Sequence, residues 1–122
     1  MIYTASFYAP QNWVGILYRV SRQHPRGLKT QWEVLPFFYP PLDLLRAYRA
    51  GTLTFEQFGY DYKHSLEISY RTSLARHWLD RALNIGDFTF LCFEKAGLPC
   101  HRLVLSSWIS EKIPELRTGN LF

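Results

Sequence analysis

Cysteine, methionine and long apolar runs are scarce in this chain of 122 residues, which contains two cysteines and one methionine. Two cysteines cannot crosslink a domain of this size, so a reducing compartment is favoured and we expect a cytoplasmic protein. No run of about 18 apolar residues occurs, so we expect no transmembrane helix and no membrane partner. The first residues also lack the basic stretch and apolar core of a secretory signal peptide.

Acidic residues are missing from the first 32 positions. The first fifty residues hold six basic and two acidic side chains, whereas the remainder is balanced, so the net charge of +4 lies in the first part of the chain. Arginine outnumbers lysine ten to four, and arginine suits bidentate contact with phosphate or carboxylate. This charge pattern is either a solvated basic edge or a surface that binds anions.

Aromatic residues are abundant, at 17% of the chain, within an apolar fraction of 48%. This composition excludes intrinsic disorder, collagen-like repeats and coiled coils. A mass of 14.4 kDa is typical of one domain that buries a real hydrophobic core. We therefore predict a single domain over residues 1–122.

Strand and helix patterns alternate along the chain. Runs of strand-forming residues predict strands at 2–7, 15–20 and 87–93. Helical spacing and capping signals predict helices at about 42–50, 54–68, 72–84 and 100–113, with a bend near Gly59. The segment 23–41 is predicted to be a loop. The third helix carries an apolar stripe that we expect to pack on the sheet, formed by Leu74, Trp78, Leu79 and Leu83.

This alternation predicts an α/β fold, namely a small Rossmann-like domain with a mostly parallel sheet flanked by helices. The third strand is apolar almost throughout, as in a parallel sheet covered on both faces. Only residues 8–14 join the first two strands, which is shorter than a parallel crossover normally needs. Either this link is a tight turn, or the two strands are not parallel neighbours.

Reactive side chains concentrate in residues 91–102, where the third strand leads into the last helix. Ligands bind open α/β sheets at the carboxyl ends of their strands. Cys100 is predicted at a helix N-terminus, where the helix dipole lowers a thiol pKa. In the catalytic hypothesis Cys100 is the nucleophile, His101 is its base, and Glu94 orients groups or transfers protons.

Each of these residues also has a structural interpretation. Cys92, inside an apolar strand, is interpreted as a small core residue. Cys100 is equally consistent with a residue that merely starts the helix, and His101 with a structural histidine in the core. Arg102 is equally consistent with an ion pair to Glu94 or Glu33. Cys92, Cys100 and His101 form an unfavourable set for a tetrahedral metal site, because two ligands are adjacent and the third is buried. We therefore expect neither a metal nor a cofactor.

Arginine and serine side chains complete the predicted ligand site. Arg22 follows the second strand and Arg102 lies in the first turn of the last helix, so both guanidinium groups are expected at one sheet edge. There they would hold the phosphate or carboxylate group of a small molecule. The ligand-binding residues of this hypothesis are Ser6, Ser21, Arg22, Lys95 and Arg102.

A non-enzymatic binding module is the alternative. Aromatic side chains alternate with basic ones in the first part of the chain, a pattern that stacks nucleic-acid bases or contacts a protein partner. No nucleic-acid-binding motif is present, and a charge of +4 is modest for such a role. The aromatic residues in question are Tyr8, Trp13, Trp32, Phe37, Phe38 and Tyr39.

Four segments form a pattern that extends over nearly the whole chain. The most specific is Leu91-Cys92-Phe93-Glu94-Lys95-x-Gly97-x-x-Cys100-His101-Arg102, and the others are Ile2-Tyr3-Thr4, Ser21-Arg22 and residues 42–60. The pattern resembles the bacterial family called domain of unknown function 488. This resemblance implies a small cytoplasmic α/β domain with Rossmann-like layering and a site at the Cys-His-Arg turn, but no particular activity. Compared with the family, the first crossover is short and the loop 36–41 is aromatic.

Overall fold

The computed structural model describes residues 1–122 and contains five strands and four α-helices. The strands are β1 (Ile2–Ser6), β2 (Ile16–Arg19), β3 (Glu33–Val34), β4 (Phe88–Cys92) and β5 (Thr118–Leu121). The helices are α1 (Leu42–Arg49), α2 (Phe55–Tyr70), α3 (Ser73–Arg81) and α4 (His101–Lys112). The strands form one sheet in the order β3-β2-β4-β1-β5, and every pair is parallel. The predicted α/β fold with a parallel sheet is therefore confirmed.

The short link between β1 and β2 does not join neighbouring strands. β4 lies between them and pairs with both, so the second of the two alternatives for this link is correct. The link contains a single 3-10 turn, Pro10–Asn12, and then returns to the sheet at Gly15. Gly15 has φ of +65°, and a Cβ there would collide with the Asp87 carbonyl, so only glycine permits this close entry beside β4.

Successive residues of β4 divide between two apolar clusters, because side chains alternate across a strand. Phe88 and Phe90 belong to the larger cluster, which includes the buried side chains of α2, α3 and α4. Leu91 belongs to a smaller cluster on the opposite face, which is built from strand and loop residues. All five residues of β4 are buried, as predicted for a strand covered on both faces. Cys92, two residues after Phe90, therefore faces the helices.

Helix α2 is regular and longer than expected. Its predicted capping box is present, because Thr54 and Gln57 exchange hydrogen bonds between side chain and backbone. The helix does not break near Gly59, since it continues to Tyr70. A Cβ at Gly59 would lie 3.5 Å from Val104, so this glycine is at the close approach of α2 and α4. None of the helices is long and apolar enough to cross a lipid bilayer.

Two strands escaped sequence analysis because their own residues carry little strand signal. β3 has only two residues, and both are exposed within the segment predicted as a loop. β5 has the sequence Thr-Gly-Asn-Leu, in which glycine and asparagine are unfavourable in strands. Both lie at the edges of the sheet, where pairing with one neighbour is sufficient.

The apolar stripe predicted for α3 is only partly correct. Leu79 is buried, and Trp78 packs its ring against the sheet and the loop before α1. Leu74 and Leu83 are 70% and 51% exposed, so their predicted burial is wrong. The buried face lies about a quarter-turn away from each of these two leucines and is centred on Ala75, Leu79 and Ala82.

Trp78→Ala should lower the free energy of unfolding by about 3 kcal/mol, because it removes a ring that contacts four other rings. Leu74→Ala, on the exposed side of the same helix, should change it by less than about 0.5 kcal/mol. Urea denaturation of both variants measures the difference. Equal effects of the two substitutions would contradict the assigned helix face.

Candidate functional site

A cavity of ≈ 570 Å³ lies at the carboxyl ends of β2 and β4. Ser21 and Arg22 reach it from the end of β2, and the residues that follow β4 reach it from beside them. Helix α1 forms the third side with both leucine and arginine side chains. This is the edge at which parallel sheets present ligand sites, so the cavity is the candidate site.

Three arginines, which we call the arginine wall, line this cavity: Arg22, Arg46 and Arg49. Arg22 donates a hydrogen bond from Nε to the Pro40 carbonyl oxygen over 3.0 Å, which holds its position. None of the three forms an ion pair. Sequence analysis missed Arg46 and Arg49, although their spacing of three residues on a predicted helix places them on one face.

Opposite the arginine wall lies a group that we call the thiol cluster: Cys92, Glu94, Cys100 and His101. Cys92 ends β4, Cys100 is the N-cap of α4, and His101 is the first residue of that helix. Glu94 Oε2 lies 3.3 Å from Cys92 Sγ and 3.0 Å from Cys100 Sγ. His101 Nδ1 lies 3.7 Å from Cys92 Sγ and 3.8 Å from Cys100 Sγ. The cluster thus joins two sulfurs, one carboxylate and one imidazole.

The His101 ring is held by a backbone contact behind it. Its Nε2 lies 2.8 Å from the carbonyl oxygen of Val20, which can only accept a hydrogen bond. Nε2 therefore carries a hydrogen. Nδ1 lies near Cys100 Sγ, whereas Cys92 Sγ lies almost equally far from Nδ1 and Nε2, at 3.7 and 3.8 Å. Tyr62 packs edge-on against the same ring, with centroids 5.9 Å apart.

Protons are unevenly distributed in the thiol cluster. Burial raises the pKa of Cys100, but hydrogen bonds with Cys92 and His101 and nearby positive charge outweigh it and lower that pKa to about 3. The hydrogen bond to Cys100, together with burial, raises the pKa of Cys92 well above its usual value. Burial lowers the pKa of His101, but Cys100 and the Val20 carbonyl raise it overall. Burial and Cys100 raise the pKa of Glu94.

Arg102 does not reach the cavity, contrary to the convergence with Arg22 that its position predicted. Its side chain is fully buried and donates hydrogen bonds from Nη2 to the carbonyl oxygens of Glu94 and Phe122. Its Nη1 lies 3.9 Å from Glu94 Oε2. The side chain turns away from the cavity because it joins the loop after β4 to the end of the chain beside β5. This geometry favours the ion pair between Arg102 and Glu94 over a ligand-binding role for Arg102.

The other predicted residues take different positions. Ser21 lines the cavity, and its hydroxyl donates to the Gln23 carbonyl oxygen. Ser6 lies outside the cavity and donates to the Phe93 carbonyl oxygen, which secures the end of β1. Lys95 is exposed and does not line the cavity. Cys100 borders a separate small cavity of ≈ 40 Å³, which also contacts Glu94 and His101.

Cys92 is a residue of the candidate site for which sequence analysis predicted only a core role. It is buried, as predicted, but its sulfur belongs to the thiol cluster and borders the main cavity. The spacing of Phe90, Cys92 and Glu94 was the available signal, since residues two apart share one face of a strand. It indicates that Cys92 and Glu94 lie on the same side of the sheet. The spacing argument against a metal set also fails, because Cys92, Cys100 and His101 place ligand atoms within 4.8 Å of one another.

Fold and site together define an α/β protein with a parallel sheet and a cysteine-based site at its carboxyl edge. A family model described as the active DUF488-N3 subclade, DUF488-N3a, matches residues 2–113. The chain therefore belongs to the DUF488 family, as the resemblance indicated. Comparisons with curated proteins and with solved structures gave no match.

Arg102→Leu should lower the free energy of unfolding by at least about 3 kcal/mol, since hydrogen bonds from a charged group contribute about 1.5–3 kcal/mol each. The change should be accompanied by faster amide hydrogen exchange in residues 118–121, which the Phe122 contact holds near the sheet. Lys95→Leu is the matched control at an exposed position and should leave both quantities nearly unchanged. Normal exchange in β5 of the Arg102 variant would contradict the structural role.

Proposed function

We propose that this protein is an enzyme that binds a small molecule bearing a phosphate or carboxylate group and acts on it at the thiol cluster. One observation carries the proposal: the same cavity is lined by the arginine wall and by Cys92, Glu94 and His101. A ligand held by the arginines therefore lies against reactive side chains. A volume of ≈ 570 Å³ is in the range of small-molecule sites.

The arginine wall supports binding of an anionic group. Three guanidinium groups without acidic partners carry uncompensated positive charge into a concave surface. Arginine presents a planar set of donors that matches two oxygens of a phosphate or carboxylate. Leu42 and Leu45 on the same helix give the ligand an apolar contact beside its charged end.

The thiol cluster supports chemistry at the other end of the ligand. Cys92 is the thiol that borders the cavity, and Glu94 is the member of the cluster whose side chain is partly exposed, at 39%. Glu94 and the His101 ring are both within contact distance of the sulfurs, so protons can pass between these groups. We infer that the reaction depends on Cys92 and Glu94.

The binding-module alternative has less support. Of the six aromatic residues it depends on, Trp32 and Phe38 are buried in the two apolar clusters. Tyr8 is 59% exposed, whereas Trp13, Phe37 and Tyr39 are half-buried. An extended stacking platform would need more exposed rings than these. A nucleic-acid or protein partner therefore stays a prediction from the sequence.

Orthophosphate should stabilise the full chain more than chloride does at equal ionic strength. At 100 times the dissociation constant the gain is about 2.7 kcal/mol, which is visible as a shift in melting temperature. The double variant Arg46→Ala/Arg49→Ala should lose most of this gain. The control Arg26→Ala/Arg71→Ala removes the same charge outside the cavity and should retain it.

Amide chemical shifts identify where the anion binds. With phosphate, the largest shifts should occur at Ser21, Gln23 and Phe93. Phosphate- and carboxylate-bearing compounds that stabilise the protein are then incubated with it. The wild-type protein should convert at least one of these compounds, and the Cys92→Ser variant should not. Stabilisation that survives the Arg46/Arg49 change would contradict the binding site, and binding without turnover would contradict an enzyme.

A further inference from the structure

We propose that Cys92, Glu94, Cys100 and His101 form a binding site for one divalent transition-metal ion, best matched by Zn²⁺. This inference goes beyond the proposed function, because it assigns an ion to the thiol cluster whether or not an anion binds at the arginine wall. Two sulfurs, one imidazole nitrogen and one carboxylate oxygen are a donor set that suits zinc. Calcium and magnesium prefer oxygen donors alone, so they do not fit this set.

The spacing of three donor atoms, those of Cys92, Cys100 and His101, is compatible with a tetrahedral site. Bond lengths of about 2.0–2.3 Å to zinc give distances of roughly 3.3–3.8 Å between neighbouring ligand atoms. In this protein the two sulfurs lie 3.7 and 3.8 Å from His101 Nδ1 and 3.3 and 3.0 Å from Glu94 Oε2. Cys92 Sγ and Cys100 Sγ are also within 4.8 Å of each other. Glu94 is outside this group of atoms, so its half-buried side chain has to rotate toward His101 to complete the coordination.

The histidine is oriented as a metal-binding histidine. Metal-bound histidines usually donate the other ring N–H to a carbonyl or carboxylate, which fixes the tautomer. His101 donates from Nε2 to the Val20 carbonyl oxygen over 2.8 Å, so Nδ1 is the ring nitrogen that is left to bind an ion. The Val20 carbonyl, which directly follows β2, sets this orientation.

The charge of Arg102 has to be counted together with the charges of the proposed ion and its ligands. Its side chain is fully buried, and its Nε and Nη1 atoms have no hydrogen-bond partner. A buried guanidinium is stable only where negative charge compensates it. Two thiolates and one carboxylate carry three negative charges, and Zn²⁺ with Arg102 carries three positive ones. A bound zinc ion therefore leaves this buried region neutral, with Arg102 Nη1 lying 3.9 Å from Glu94.

The main cavity gives access to the proposed ion. Cys92, Glu94 and His101 all border it, so an ion can enter from that side. Three of the ligands are buried and Glu94 is half-buried. Glu94 is consequently the ligand that a water molecule or an oxygen of a bound anion can displace.

Titration of the metal-free full chain with Co²⁺ tests the site directly. We expect one ion per chain, a sulfur-to-cobalt charge-transfer band and the intense visible bands of tetrahedral cobalt, with Zn²⁺ displacing the cobalt. Cys92→Ser and Cys100→Ser should each weaken Zn²⁺ binding by more than about 100-fold, beyond the effect of losing a supporting contact. His64→Gln, at an exposed histidine, is the matched control and should bind normally.

Circular dichroism reports whether each variant folds. Should the cysteine variants fail to fold, the wild-type spectrum still decides, because its charge-transfer intensity counts the bound sulfurs. Absence of that band in folded wild-type protein, or a band of undiminished intensity in folded Cys92→Ser, would overturn the metal site. Phosphate binding without metal uptake would overturn this inference and leave the proposed function intact. Metal uptake without phosphate binding would overturn the proposed function and leave this inference intact.

Discussion

Backbone pairing of β4 with β1 on one side and β2 on the other determines where the side chains of the candidate site lie. The parallel register places Ser6 opposite Cys92 and Arg19 opposite Leu91, so all three strands end at one edge. The chain after β2 and the chain after β4 therefore leave the sheet side by side. Since β4 is buried on both faces, its last side chain is directed either to the helices or to the opposite loops. Cys92 is directed to the helices, where α4 begins.

Electrostatics divide the site into two parts with different surroundings. The arginine wall is open to the cavity and has no acidic partners, so its charge is available to a ligand. The thiol cluster is largely buried, and Arg102 beneath it compensates negative charge from within the protein. This separation explains why the two arginines that seemed equivalent in sequence differ in the fold. Arg22 faces the ligand cavity, whereas Arg102 supports the cluster and the last strand.

Local sequence patterns were sufficient to predict the central strands of the sheet and the helices. The capping residues Thr54 and Gln57 and the apolar run of β4 act through neighbours in sequence, so they could be predicted. β3 and β5 could not, because their pairing depends on edges that only the folded sheet provides. The direction of Arg102 likewise depends on Glu94 and Phe122 meeting in space. Cys92 was predicted only as a core residue, because burial alone does not separate a core thiol from a ligand or reactive one.

The central claim is that the arginine wall and the thiol cluster are two ends of one functional cavity. The most direct measurement is a crystal structure of the full chain grown with Zn²⁺ and orthophosphate, with anomalous data at the zinc edge. The account predicts one anomalous peak among Cys92, Glu94, Cys100 and His101, and phosphate density in contact with Arg46 and Arg49. Phosphate bound elsewhere, together with no anomalous peak between the two sulfurs, would contradict it.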